Sequence, residues 1–339
     1  MKILVTGAAG FLGVRLVERL LARGETDLRC LLRPGSDEAP LLALRRAHPA
    51  ASLEIVRGTL VAPADAARAV DGVELVHHLA AGVRGAPAEL FLHTVVGTKI
   101  LLEAIVAAPR RPRLALVSSF GVYGVAGLPR GALVDETTPL EPEPTRRDPY
   151  SQAKLRQEQL VDQYRRQYDL AVTILRPGVI YGLRGPAISN RVGLQLPGLF
   201  LHLGGDNLLP LTYVDNCAEA VALAGAHPEA VGRIYNVVDD DLPTCGQFLA
   251  RYRREVEPLR VLRLPYPATA LLGRAMAWYS EYSHGQLPAL LTPYKVATSW
   301  GGNRFANDRL KGLGWRPLVS TEEGLGRTFA ALREGRRGG

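Results

Sequence analysis

Short apolar runs alternate with amphipathic stretches along the first half of the chain. Runs of this kind are typical of strands buried on both faces, and apolar residues at every third or fourth position are typical of helices packed on a sheet. The pattern predicts helices at Ala88–Ala107 and Tyr150–Tyr168. It predicts strands at Lys2–Thr6, Leu28–Leu32, Leu53–Val56, Leu75–His78, Leu114–Ser118 and Ala171–Leu175. The alternation favours an α/β fold, a doubly wound parallel sheet with helices on both faces.

A glycine-rich turn follows the first predicted strand directly, over the residues Gly7-Ala8-Ala9-Gly10-Phe11-Leu12-Gly13. Leucines with helical spacing then continue to Gly24. Glycines at a strand-to-helix turn let backbone N–H groups approach a pyrophosphate, and a helix N-terminus favours negative charge. The order strand, turn and helix therefore predicts a dinucleotide-binding site.

The periodic pattern weakens after Gly182, where Gly, Pro and short apolar runs take over. We therefore predict a Rossmann-like dinucleotide-binding domain over residues 1–182, which includes Tyr150 and Lys154. Residues 183–332 are predicted to form a smaller, mainly substrate-binding lobe, with some segments returning to the core. Residues 333–339 are predicted to be a flexible tail.

A phenol and an ammonium stand four residues apart at Tyr150 and Lys154, after the Pro-rich stretch Leu140–Pro149. Positions i and i+4 share one face of a helix, so both side chains would enter the same space. A free tyrosine ionises near pH 10. We expect the neighbouring ammonium to lower the pKa of Tyr150, which would suit it to proton exchange with a substrate oxygen.

Charge and cysteine usage exclude several other classes of protein. The net charge of +8 is spread along the chain, without the aromatic-interleaved basic stripe of a nucleic-acid surface, so we expect no nucleic-acid partner. The cysteines Cys30, Cys217 and Cys245 are far apart and form no Cys-x-x-Cys pair, so neither a disulfide framework nor a metal site is expected. Together with the lack of a visible signal peptide, this favours a cytoplasmic protein.

The most apolar late segment, Leu262–Leu291, is interrupted by charged residues such as Arg274 and Glu281. We therefore expect no integral membrane contact. A flap over an apolar substrate is the preferred interpretation, and peripheral membrane contact is the alternative.

Several ordered motifs together resemble the extended short-chain dehydrogenase/reductases, the NAD-dependent epimerase/dehydratase family. The pattern is most similar to dihydroflavonol-reductase-like and 3β-hydroxysteroid-dehydrogenase-like members. The matching segments are Thr6–Gly13, His78–Ala81, Val96–Thr98, Val117–Gly124, Tyr150–Lys154 and Leu175–Gly182, with looser matches at Tyr213–Asp215 and Gly314–Pro317.

The resemblance implies a catalytic trio in which Ser119 orients the substrate oxygen and Tyr150 exchanges its proton. Lys154 would lower the tyrosine pKa and hold the nicotinamide ribose. Beside Tyr150 and Lys154, the implied cofactor-binding residues are Gly7, Ala9, Gly10, Phe11, Leu12, Gly13, Arg33, Ser36, Thr59, Leu60, Leu79, Ala80, Ala81, Val117, Pro177, Gly178 and Val179.

Arg33 at the end of the second strand favours NADP over NAD. An acidic residue there would accept hydrogen bonds from the ribose diol of NAD, but the chain has no acid before Asp37, and Ser36 could add a hydroxyl contact. NAD stays possible, because Arg33 could also be a solvated surface arginine. Two departures from the family are Thr59, where an Asp is common, and Thr94, where an Asn is usual.

The expected reaction is reversible hydride transfer between the cofactor and a small-molecule secondary alcohol or ketone. Nucleotide-sugar enzymes of the family commonly carry an arginine where this chain has the apolar Leu208–Thr212. A nucleotide-sugar epimerase is the alternative, with Arg184 and Arg191 as candidates to grip a diphosphate. A catalytically inactive NADP-binding regulator is a third possibility, which the intact trio disfavours.

Relatives of this kind commonly dimerise through two long helices per subunit, so the resemblance implies a homodimer. The candidate helices are Ala88–Ala107 and Tyr150–Tyr168. Apolar residues wrap too far round the first of them for one sheet face to cover.

Overall fold

A seven-stranded parallel sheet lies at the centre of the computed structural model, which describes residues 1–83, 85–183, 185, 188–283 and 291–337. In these residues the strands are β1 (Lys2–Thr6), β2 (Asp27–Leu32), β3 (Ser52–Arg57), β4 (Leu75–His78), β5 (Arg113–Val117), β6 (Leu133–Val134), β7 (Val172–Pro177), β8 (Val179–Tyr181), β9 (Gly193–Leu196), β10 (Leu199–His202), β11 (Leu211–Tyr213), β12 (Ile234–Val237), β13 (Val261–Arg263) and β14 (Arg304–Phe305). The order across the main sheet is β12-β7-β5-β4-β1-β2-β3, and every neighbouring pair is parallel.

Helices cover both faces of this sheet. In the described residues they are α1 (Phe11–Ala22), α2 (Ala39–Ala47), α3 (Pro63–Val70), α4 (Pro87–Phe91), α5 (Gly97–Ala107), α6 (Pro149–Tyr168), α7 (Val214–Ala226), α8 (Cys245–Glu255), α9 (Tyr266–Tyr282), α10 (Pro293–Trp300), α11 (Asp308–Gly312) and α12 (Thr321–Arg337). One core cluster joins the sheet to α1 and α7, and a second joins it to α3, α5 and α6. The predicted doubly wound, Rossmann-like α/β fold is confirmed.

The predicted strands all lie in the sheet, with bounds that differ by only a residue or two. The first predicted helix is present as α4 and α5 joined by a π-helical turn at Leu92–Val96. It is the one helical stretch in the described residues with the length and apolar character to cross a membrane, and 44% of its most apolar window is buried. A core helix passes the same test, so this is weak support for a membrane span.

Some residues after Gly182 form a small packed unit of their own, and others join the main core, as α7 does. A three-stranded sheet in the order β13-β10-β9 packs with α9 and α10 around Leu203, Leu291 and Val296. Strand β12 returns to the edge of the main sheet. Helix α12 includes residues 333–337 of the predicted tail, while Gly338 and Gly339 lie outside the described residues. The division at residue 182 stays a prediction.

Candidate active site

Helix α6 presents Tyr150 and Lys154 at the carboxyl edge of the sheet. The Asp148 carboxylate caps this helix by accepting a hydrogen bond from the backbone N–H of Ser151 at 3.0 Å, and Pro149 occupies the first turn. Lys154 Nζ donates to the carbonyl oxygen of Val117 at 2.8 Å, at the end of β5. The cap and this bond fix where α6 begins relative to the sheet.

Ser119 lies two residues after the end of β5. Its Oγ accepts a hydrogen bond from the N–H of Gly121 at 3.0 Å, and its hydroxyl lowers the pKa of Tyr150. The three predicted catalytic side chains, those of Ser119, Tyr150 and Lys154, therefore line one cavity of about 840 Å³. Every residue predicted to bind the cofactor lines the same cavity.

The glycine turn after β1 has no room for side chains at two of its positions. Gly7 has φ +72°, and a Cβ there would lie 3.0 Å from the backbone N of Ala80. A Cβ at Gly13 would lie 2.1 Å from the carbonyl oxygen of Gly7. Gly10 is the N-cap of α1, with no side-chain cap and no acidic residue in the first turn. The N-terminal N–H groups of α1 are therefore left to a ligand, and their partial positive charge suits a phosphate.

Burial is the largest influence on the pKa values of Tyr150 and Lys154. It raises the pKa of Tyr150 above its ordinary value, while the bond with Ser119 works in the opposite direction. It lowers the pKa of Lys154 to about 7, and the nearby Glu158 carboxylate opposes this change. The net lowering of the Tyr150 pKa that we expected is not found: the pKa is raised, because burial of the phenol outweighs the opposing contributions.

Arg33, Ser36 and Asp37 line the cavity just beyond β2. The turn between them uses Gly35 at φ +79°, and the N–H of Ser36 donates to the carbonyl of Arg33 at 3.1 Å. The Asp37 carboxylate accepts from the N–H of Ala39 at 3.0 Å, at the start of α2. Arg33 is exposed, so a guanidinium and a carboxylate both border this part of the cavity.

Both departures from the family pattern lie in hydrogen-bonded loops. The backbone N–H of Thr59 donates to the Asp65 carboxylate at 2.8 Å, so an acid from α3 holds the loop where the family often has Asp. Thr94 Oγ1 accepts from the N–H of Gly82 at 2.9 Å and so fixes the loop after β4. Sequence reasoning had no signal for either contact.

A chain of buried side chains behind Lys154 was also missed. Lys154 Nζ donates to Gln157 Oε1 at 3.0 Å, and Gln157 Nε2 donates to Thr98 Oγ1 at 2.7 Å. His78 bonds Thr98 through Nε2 and Thr6 through Nδ1, each at 2.8 Å. Burial lowers the pKa of His78 to about 3, so its ring is neutral at neutral pH. Thr6 lines the cavity, so this network connects Lys154 to the end of β1.

Two arginines were candidates to grip a diphosphate. Arg191 does not line it, and Arg184 lies outside the described residues. Leu209 and Leu211 are fully buried in the core, so that part of the apolar Leu208–Thr212 stretch stabilises the fold. Among the described residues, no group of three or more His, Cys, Asp or Glu side chains could hold a metal ion.

The family model for the NAD dependent epimerase/dehydratase family matches residues 3–237. The chain therefore belongs to this family, and the resemblance to extended short-chain dehydrogenase/reductases is confirmed.

Its relatives include several kinds of enzyme. A 3-diazoavenalumate denitrifying reductase from a Streptomyces species is 32% identical, over 96% of this chain and 100% of the relative. A mouse sterol-4-alpha-carboxylate 3-dehydrogenase (decarboxylating) is 25% identical, over 99% and 92%. The crystal structure of Thermus thermophilus UDP-glucose 4-epimerase with NAD matches at a TM-score of 0.70 and 25% identity, over 98% and 99%. The protein is an oxidoreductase enzyme of a family that depends on nicotinamide cofactors.

Proposed function

We propose that the protein catalyses reversible hydride transfer between NADP(H) and a secondary alcohol or ketone. The observation that carries this proposal is the meeting of Ser119, Tyr150 and Lys154 in the same cavity as the uncapped N-terminus of α1. The trio suits proton transfer at a carbonyl oxygen, and the helix terminus suits a pyrophosphate.

When bound, the nicotinamide would supply or accept the hydride. The chain's own residues handle the proton. In the reductive direction the Tyr150 phenol gives its proton to the substrate oxygen, and its raised pKa keeps it protonated at neutral pH. The Ser119 hydroxyl orients that oxygen, and the Lys154 ammonium stabilises the phenolate left on Tyr150.

The preference for NADP(H) is supported by Arg33 at the rim of the cavity. A guanidinium can make charge-assisted hydrogen bonds to a 2′-phosphate. Asp37 also borders this region, but its carboxylate accepts a hydrogen bond from the backbone of α2. Arg33 is therefore the side chain we assign to the 2′-phosphate.

A substrate less polar than a sugar nucleotide is supported by the apolar surroundings. Val83 and Ile180 line the cavity, and Val83 is 69% exposed. The reductase and the sterol-carboxylate dehydrogenase among the relatives point in the same direction.

Tyr150→Phe tests this mechanism. The rate of ketone turnover with NADPH should fall by a factor of about 10²–10⁴ in this variant. NADPH should bind as before, because only the acidic hydroxyl is removed. Tyr164→Phe is a matched control, since Tyr164 lies on the same helix and packs against Tyr168. Unchanged turnover in Tyr150→Phe would reject the assigned role.

A nucleotide-sugar 4-epimerase is the second candidate, because UDP-glucose epimerases are among the relatives and structural neighbours. An epimerase would interconvert UDP-glucose and UDP-galactose without net consumption of cofactor. The proposed oxidoreductase would instead consume NADPH in proportion to the ketone reduced. Assaying the wild-type enzyme with both kinds of substrate separates the two functions.

A further inference from the structure

Gln157 is the buried neighbour of Lys154 that has no part in the proposed mechanism. Its side chain is completely buried on α6, three residues after Lys154, and Lys154 itself is 3% exposed. A buried ammonium needs hydrogen-bond acceptors, because burial favours the neutral amine. Lys154 has two of them, the carbonyl oxygen of Val117 at 2.8 Å and Gln157 Oε1 at 3.0 Å.

The hydroxyl of Thr98 determines which way the Gln157 amide points. Thr98 Oγ1 donates its one proton to the carbonyl oxygen of Thr94 at 2.5 Å. The Thr98 oxygen can therefore only accept from its other neighbours, Gln157 Nε2 at 2.7 Å and His78 Nε2 at 2.8 Å. A rotated amide would place its oxygen against the Thr98 oxygen and its NH₂ group against the ammonium. The network thus turns the Gln157 oxygen towards Lys154.

The far end of the network fixes the tautomer of His78. Because His78 Nε2 donates to Thr98, its Nδ1 accepts from Thr6 Oγ1 at 2.8 Å. Thr6 Oγ1 in turn accepts from the backbone N–H of Ala80 at 3.3 Å. The side chains of Thr6, His78 and Thr98 each have a fixed donor and acceptor role. Groups on β1, β4 and α5 therefore set the orientation of the Gln157 amide.

We infer that Gln157 is a positioning residue that keeps Lys154 in its ammonium form and directs one N–H of that group towards the cavity. Two of the three N–H groups are used by Val117 and Gln157, and Lys154 lines the cavity. The third has no protein partner among the described residues. Under the proposed function, on which this role rests, that N–H would serve the ribose and the phenol of Tyr150.

The other charged groups around Lys154 do not replace Gln157. The Glu158 carboxylate raises the pKa of Lys154, but this carboxylate is already bonded to the Arg176 guanidinium across β7. His78 is neutral, and Tyr150 is a neutral phenol whose pKa is raised. Gln157 and a backbone carbonyl are therefore the direct acceptors for the ammonium.

The lysine charge can be measured directly, because the chain has only five lysines, at Lys2, Lys99, Lys154, Lys295 and Lys311. With ¹³Cε-labelled lysine, the Lys154 signal is assigned by its absence in Lys154→Arg, and its pKa follows from a pH titration by NMR. In Gln157→Met the pKa of Lys154 should fall by about one to two units, since a hydrogen bond to a charged group is lost. In Gln157→Glu it should rise by at least about one unit.

Gln159→Met is the matched control, because Gln159 lies on the same helix with its side chain exposed, and the pKa of Lys154 should not change there. If Gln157→Met does not fold, Gln157→Asn keeps the amide but withdraws its oxygen, and should also lower the pKa. The same Lys154 pKa in wild type, Gln157→Met and Gln157→Glu would overturn the role of Gln157. Absence of turnover with every ketone would instead reject the proposed function, and would leave this titration as an independent result.

Discussion

The buried ion pair between Glu158 and Arg176 makes a quantitative prediction about the frame of the active site. Their side chains are 4% and 3% exposed, and Glu158 also accepts a hydrogen bond from Ser118 Oγ at 2.6 Å. Glu158→Ala would leave the guanidinium buried without its carboxylate. Breaking such a pair costs about 3–5 kcal/mol of unfolding free energy. The ring of Tyr123, whose centroid lies 4.7 Å from the Arg176 guanidinium carbon, contacts it already in the wild type. This contact of about 0.5–2 kcal/mol is therefore no replacement for the lost carboxylate.

Asp162→Ala on the same helix is the matched comparison. Asp162 pairs with Arg165 and Arg166, but all three side chains are at least about a third exposed. Exposed pairs of this kind contribute about 0.3–0.5 kcal/mol each, because water and salt screen them. The two substitutions therefore remove acids one helical turn apart with very different expected costs.

Urea unfolding followed by circular dichroism measures both variants. The shift in midpoint is the lost free energy divided by the urea dependence, which both variants share. Glu158→Ala should therefore lower the midpoint several times more than Asp162→Ala. Glu158→Gln keeps one acceptor oxygen and should fall between them. Equal midpoints for Glu158→Ala and Asp162→Ala would show that the buried pair does not stabilise the fold.

Three further predictions concern cofactor choice, pH and assembly. Arg33→Asp should shift the ratio of NADPH to NADH affinity by about 10–100-fold towards NADH in calorimetric titrations. The control Arg46→Asp, at an exposed position, should leave this ratio unchanged, and a wild-type preference for NADH would contradict the prediction. Because the ammonium of Lys154 is lost as pH rises through its pKa of about 7, kcat/KM for reduction should fall above that pH, and this fall should be absent in Lys154→Arg. A wild-type kcat/KM that stays constant up to pH 9, about two units above that pKa, would contradict the prediction. Light scattering of the wild type should give a mass of about twice 36.7 kDa, and a mass near 36.7 kDa would refute the dimer. The double variant Phe91→Glu/Val96→Glu, at exposed apolar positions, should have the monomer mass, whereas the control Leu271→Glu should remain a dimer.

The sheet could be predicted from the sequence because its strands are buried on both faces. Such strands read as continuous apolar runs, as in β1, where Ile3, Leu4 and Val5 are fully buried. The one strand of the main sheet that the sequence did not predict is β12 (Ile234–Val237), which includes the polar Asn236. Its position depends on pairing with β7, a contact between distant parts of the chain that local periodicity does not record.

The site residues could be predicted as far as backbone geometry and helical spacing determine them. The glycine turn needs its glycines for steric reasons, and Tyr150 and Lys154 share a helix face by periodicity. The direction of the Tyr150 pKa could not be predicted, because it depends on how much water the folded lobe excludes. Gln157 was missed because its role comes from a contact with Thr98 on another helix, which helical spacing within α6 does not record.

The fold keeps the ammonium and amine forms of Lys154 close to each other in free energy at neutral pH. Burial favours the amine, while the Val117 carbonyl, the Gln157 amide oxygen and the Glu158 carboxylate favour the ammonium. A pKa of about 7 means that both forms are populated at neutral pH. A small change in any one contributor therefore changes the fraction of ammonium substantially, since one pKa unit corresponds to about 1.4 kcal/mol. A ligand that accepts the third N–H would favour the ammonium in the same way, so binding in the cavity and charging of the lysine should reinforce each other.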